Sequence, residues 1–166
     1  GDKAKVQLLG SGTILNEVIK AAKILSDDHG VASDVFSVTS FNELTRDGQE
    51  VARHNMLHPE DDPRAPYLAE VLSDETTIAS TDYVKNHAEQ IRAYLPGSSY
   101  KVLGTDGFGR SDSRANLPRH FEVNAGYVVV AALHQLSKDG AVDKGEVAKA
   151  IEKFGIEVDK GNPLHA

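Results

Sequence analysis

The chain has 166 residues, within the roughly 100–200 that a single domain usually takes, and its 40% hydrophobic and 26% charged content is ordinary globular usage. It contains no cysteine and carries a formal net charge of −7. Those two facts exclude a disulfide framework and a thiolate metal site, and they argue against general affinity for nucleic acid or anionic lipid. No window reaches the ~18 consecutive apolar residues of a membrane-spanning helix, and residues 1–5 lack the apolar stretch of a signal peptide. The expectation is a soluble cytoplasmic protein that touches neither membrane nor nucleic acid, with residues 1–5 a leader or tag remnant.

The first strand is predicted at residues 6–9 and runs straight into Gly10-Ser11-Gly12-Thr13. Apolar residues then recur at Ile14, Leu15, Val18, Ile19, Ala22, Ile24 and Leu25, which is helical spacing, and Gly30 supplies a left-handed cap. Residues 35–38 read as a second strand. Ser40 and Glu43 form a capping box for a helix from Phe41. A proline- and acid-rich loop is expected over residues 54–66, then a short helix at 67–72 and a strand at 77–80. Asp82 should cap a helix that Pro96-Gly97 stops, and residues 100–103 form a fourth strand. A short helical stretch is expected near residues 113–120.

Residues 127–136 are apolar enough for a strand or a buried helix; their length, their alanines and the Asp139-Gly140 stop favour helix. Asp143 and Glu146 make another capping-box start, for a helix ending near Phe154-Gly155. The domain is taken as residues 6–155, with 156–166 an extended tail. Strands alternating with helices predict an α/β layered fold around a mostly parallel sheet.

Four segments bear on chemistry. The turn at Ser11, Gly12 and Thr13 sits where a phosphate-binding loop would, but Leu15 occupies the place of the third glycine and no Gly-Lys-Ser/Thr follows. It reads as a tight turn and helix start whose amides are able to hold an adventitious anion. His54 and His58 have the spacing of two metal ligands on a helix, yet Pro59 follows and no glutamate lies between them, so loop packing is favoured. Pro63-Arg64-Ala65-Pro66 matches a PxxP pattern and is read as ordered loop. The run Gly104-Thr105-Asp106-Gly107-Phe108-Gly109-Arg110-Ser111-Asp112 combines permissive glycines with charge at the carboxyl edge of the sheet. It is read as a rigid loop docking a neighbouring domain or subunit. No G-x-S-x-G elbow occurs, and the remaining histidines lie in no catalytic spacing.

Several long phrases resemble one family. They include Ser33-Asp34-Val35-Phe36-Ser37-Val38-Thr39-Ser40-Phe41-Asn42-Glu43-Leu44, His54-Asn55-Met56-Leu57-His58-Pro59, Val102-Leu103-Gly104-Thr105-Asp106-Gly107-Phe108-Gly109-Arg110-Ser111-Asp112-Ser113-Arg114 and His120-Phe121-Glu122-Val123. Together they are similar to the C-terminal domain of homodimeric bacterial pyruvate dehydrogenase decarboxylating components, thiamine diphosphate enzymes of the transketolase superfamily. The match runs from about Val6 to the C-terminus.

The resemblance implies a three-layer α/β/α sandwich with a five-stranded, mostly parallel sheet and one antiparallel edge strand, for which residues 127–130 are the candidate if not helical. It implies a parent that decarboxylates pyruvate on thiamine diphosphate with magnesium and reductively acetylates lipoyl groups. In that family the cofactor lies in preceding domains, held by Gly-Asp-Gly and a later asparagine. No Gly-Asp-Gly occurs here, so no catalytic, cofactor-binding or metal residue is expected in this chain and the fragment alone should be inert. Expected partners are the preceding domains and the second subunit of a homodimer, or, if the domain is a binding module, the dihydrolipoyl transacetylase or a regulatory ligand. A free-standing enzyme of another class finds no constellation to support it.

Overall fold

A computed structural model describes residues 4–81, 85–104 and 124–156. Four strands form one parallel sheet in the order β2-β1-β3-β4: β1 at Lys5–Gly10, β2 at Ala32–Ser37, β3 at Thr76–Ser80 and β4 at Tyr100–Leu103. Leu8 lies opposite Val35 of β2 and Ile78 of β3, and Ala79 opposite Val102 of β4. β1 is buried from Val6 to Gly10 and β3 throughout, as a parallel strand with helices on both faces must be. β2, at one edge, is half open.

The helices divide between the two faces. On one side α1 (Leu15–His29) packs against two later helices, α5 (Ala125–Lys138) and α6 (Lys144–Lys153). They close over Val6, Leu8, Ile78 and Leu103 with Val18, Leu25, Val128, Leu133 and Ala150. On the other side α2 (Phe41–Leu57), α3 (Tyr67–Val71) and α4 (Lys85–Glu89) cover Leu9, Ala79, Tyr100 and Val102 with Phe41, Leu68, Leu72 and Ile91. The result is the three-layer α/β/α arrangement that the sequence predicts.

Local chemistry explains most boundaries. Gly30 follows α1 at φ 65° and ψ 26°, the left-handed cap expected. The Ser40 hydroxyl accepts the Glu43 N–H at 3.1 Å and starts α2, but the Glu43 carboxylate turns to Arg46 instead of completing the box. At α6 the Asp143 carboxylate accepts from Gly145, and Glu146 again looks elsewhere.

Two expectations change. α2 continues through His54 to Leu57, so the loop begins four residues later than its prolines suggest; the backbone N–H of His58 still reaches the His54 carbonyl at 2.9 Å. β1 opens at Lys5, inside the stretch set aside as leader, because the backbone already pairs with β2 there: Lys5 lies opposite Ala32, whose N–H donates to the Ala4 carbonyl at 2.9 Å. Residues 127–130 are helical, as their length and alanines favour, part of α5, whose buried stripe Val128, Val129, Ala132, Leu133 and Leu136 belongs to the layer with α1 and α6 while His134 and Lys138 face out. The antiparallel fifth strand is not among the described residues. The helix expected from Asp82 is seen from Lys85 and the stretch 113–120 lies outside the described residues, as does the tail beyond Ile156.

Candidate functional site

Ligands of open parallel sheets sit beyond the carboxyl ends of the strands, where neighbouring crossovers diverge. Here that point lies between β1 and β3. Ser11 follows β1 there, and its hydroxyl donates to the Thr81 hydroxyl at 3.0 Å while its backbone N–H reaches the Ser80 carbonyl at 3.4 Å. The Thr81 N–H in turn donates to Leu103 at 3.0 Å. The turn is a seam joining three strand ends. Gly10 lets it pack closely, because a Cβ there would sit 3.0 Å from a Val18 methyl and 3.1 Å from the Leu15 backbone. Gly12, at φ 59°, lets the chain swing into α1. Of the expected anion site, Ser11 therefore serves the seam and Gly12 the turn.

A cleft of about 240 Å³ opens beside this seam, lined by Ser11, Thr39, Ser40, Asn42 and His87 with Val38 and Phe41. Its Ser11 and Ser40 hydroxyls are already engaged, with Thr81 and the Glu43 amide. No carboxylate among the described residues lines it. Among the described residues no group of three or more His, Asp or Glu side chains is placed to hold a metal ion. Thiamine diphosphate needs donors for its diphosphate and acidic ligands for magnesium. The described residues do not fit that pair.

His54 and His58 stack with ring centroids 4.2 Å apart, and the His58 Nδ1 lies 2.9 Å from the His54 carbonyl oxygen. They close the end of α2. Asn55 exchanges two bonds with the Arg64 backbone, which fixes the loop carrying the PxxP sequence. Of the glycine-rich run, Gly104 is buried at the end of β4, and Thr105, Asp106, Gly107, Phe108, Gly109, Arg110, Ser111 and Asp112 lie outside the described residues.

Two buried polar arrangements escaped sequence reasoning. The Tyr100 hydroxyl donates to the Ala88 carbonyl at 2.7 Å, with the Arg92 guanidinium over its ring; burial, and then the Glu89 charge, push this phenol above its ordinary value. His29, ending α1, meets Glu146 of α6 at 3.0 Å. The hydrogen bond from His29, then that from Lys149, hold the Glu146 carboxyl below the usual range. The one available signal was position, His29 before a helix-ending glycine and Glu146 in a helix's first turn.

A second cleft of about 320 Å³ runs between β2, α2 and α3 and is lined chiefly by Phe36, Leu44, Tyr67, Leu68, Val71 and Leu72. Nothing in that lining resembles a catalytic pair.

The fold thus defines a three-layer α/β domain around a parallel sheet. The profile of the transketolase-like TK C-terminal domain matches residues 1–124, and the chain belongs to that family. It is 63% identical over 163 residues to the pyruvate dehydrogenase E1 component of Escherichia coli (strain K12), a match covering 98% of this chain and 18% of that protein. To the E1 component of Haemophilus influenzae it is 63% identical over 164 residues, 99% of this chain and 18% of that one. The chain therefore spans under a fifth of the relatives it matches, at their C-terminal part. Among solved structures, a split gene transketolase described as an inactive β4 tetramer superposes with TM-score 0.51 at 18% identity, covering 82% of this chain and 40% of that one.

Proposed function

We propose that the chain is the C-terminal assembly domain of a homodimeric pyruvate dehydrogenase decarboxylating component. The whole enzyme decarboxylates pyruvate and reductively acetylates lipoyl groups in the cytoplasm, and this domain stabilises the dimer without touching the reacting atoms. One observation carries the reading: identity of 63% with an E1 component extends over 98% of this chain while the match covers 18% of that protein. Thiamine diphosphate supplies the carbanion chemistry when bound elsewhere in the enzyme; this chain's residues position and brace.

Within this proposal the run from Gly104 to Asp112 is the contact between subunits or domains. The test uses the full enzyme carrying Asp106→Ala or Arg110→Ala. Dissociation should occur at roughly tenfold higher enzyme concentration than in the parent, with decarboxylation per assembled dimer unchanged. Calorimetry of the 166-residue chain with thiamine diphosphate and magnesium should show no saturable heat. An intact dimer with crippled chemistry, or a saturable heat, would overturn the reading.

A further inference from the structure

The exposed large apolar side chains are not spread evenly. Of Ile19, Val35, Met56, Leu57, Tyr67 and Val71, all but Ile19 belong to β2, the last turn of α2 or α3. Met56 is 70% exposed, Tyr67 55%, Leu57 51% and Val71 41%. Tyr67 and Val71 border the 320 Å³ cleft described above, which Leu9, Phe36 and Leu68 also line, whereas Met56 and Leu57 stand at the far end of α2. The surface is also held in shape. The Tyr67 N–H donates to Asp47 at 2.8 Å, which ties α3 to α2, and the Asn55–Arg64 pair closes the loop between them. β2 beside it is a sheet edge with no further strand among the described residues.

An apolar groove rimmed by the exposed Tyr67 and Val71, on rigid elements, is the signature of a covered surface. The comparisons indicate what covers it. Both relatives carry this domain as 18% of their length, so it travels with a remainder of constant proportion. A tethered neighbour is present at effective millimolar concentration and equal stoichiometry, which no separate protein matches. We infer that the β2–α2–α3 face is the surface on which this domain packs against the preceding portion of its own longer chain. This rests on the reading of the chain as a terminal domain, and it names a face quite apart from the glycine-rich run.

The inference also explains the architecture. Polar residues would serve Met56 and Tyr67 equally well at an exposed helix end, and an open edge strand beside bare apolar side chains invites aggregation. Covering the groove in cis removes both liabilities.

The absence of cysteine in this domain makes the test clean. Tyr67→Cys and, separately, Val71→Cys are introduced into the full-length chain, and thiol labelling at each position is followed by peptide mapping. If the face is packed in cis, labelling in the native enzyme is at least roughly tenfold slower than in the same enzyme unfolded, and dilution through dimer dissociation leaves it slow. Labelling as fast as in the unfolded enzyme overturns the inference. So does protection that vanishes with the dimer, which assigns the face to the second subunit, or protection that arises only when transacetylase is added. Dissociation of Asp106 and Arg110 variants is read separately, so failure of the assembly reading and failure of this one are told apart.

Discussion

At the scale of single residues, the sheet's interior depends on polar groups that have found partners. Gln7 stands between Val6 and Leu8, a spacing that in a half-exposed strand would place it in water. Here it is buried, and its amide donates to the Ser73 carbonyl and the Thr77 hydroxyl while accepting from the Ser73 N–H. Alternation loses its meaning in a strand covered on both faces, which is why Gln7 could not be placed from sequence. Tyr100 follows the same logic. Removing its hydroxyl by Tyr100→Phe strands the Ala88 carbonyl and should cost about 1–2 kcal/mol in chemical denaturation. The phenol is raised chiefly by burial, so the folded state keeps its proton where the unfolded chain, at an ordinary value of 10.0, releases it. Stability should therefore be flat below that value and fall as pH rises above it. Tyr100→Phe should flatten that alkaline limb; an unchanged slope in the variant would mean another group sets it.

Among the elements, helix starts were the most legible features and helix-to-helix contacts the least. Ser40, Asp143 and Gly30 sit where their chemistry says they should. Asn124, whose carboxamide caps α5 by accepting the Tyr127 N–H at 3.1 Å, passed unnoticed because no acidic residue follows at the third position. The Glu17 carboxylate adds a second anchor on the Ala125 N–H, from a helix more than a hundred positions earlier. Such partners cannot be paired from spacing. The same holds for α6, which a hydrogen bond and an ion pair fasten to the end of α1: His29 with Glu146, and Lys153 with Asp28. Both carboxyls are held below their ordinary values of 4.5 and 3.8, Glu146 mainly by His29 and Asp28 mainly by Lys153. Depressed carboxyls stabilise the fold above their unfolded values and lose that contribution as pH falls through the folded ones. Docking of α6 should thus weaken below about pH 4.5. In Glu146→Gln the amide exchange of α6 should be faster at neutral pH and respond less to acid, with Asp28 carrying the remaining slope. Equal acid response in parent and variant would remove Glu146 from the account.

For the molecule as a whole, composition and strand–helix alternation announced the layered fold, and the long matching phrases announced its kind. What they could not supply was the division of labour between faces. The parallel sheet is one wall shared by two apolar layers, with Leu8 and Ile78 turned to α1 and α5, and Leu9 and Ala79 turned to α2 and α4. Sharing a wall couples the layers, because either one can part from the sheet only by exposing strand residues whose neighbours in the same strands hold the other. Leu133 on one side and Ile91 on the other are both fully buried. Truncating either to alanine should remove about 2–5 kcal/mol, the range for a large aliphatic group lost from a packed core. Both variants should still unfold in one transition, reported alike by amides of α5 and of α2. If Ile91→Ala instead melted α2 to α4 while α1 and α5 stayed protected, the sheet would not be a common wall, and the two layers would have to be treated as separate folding units.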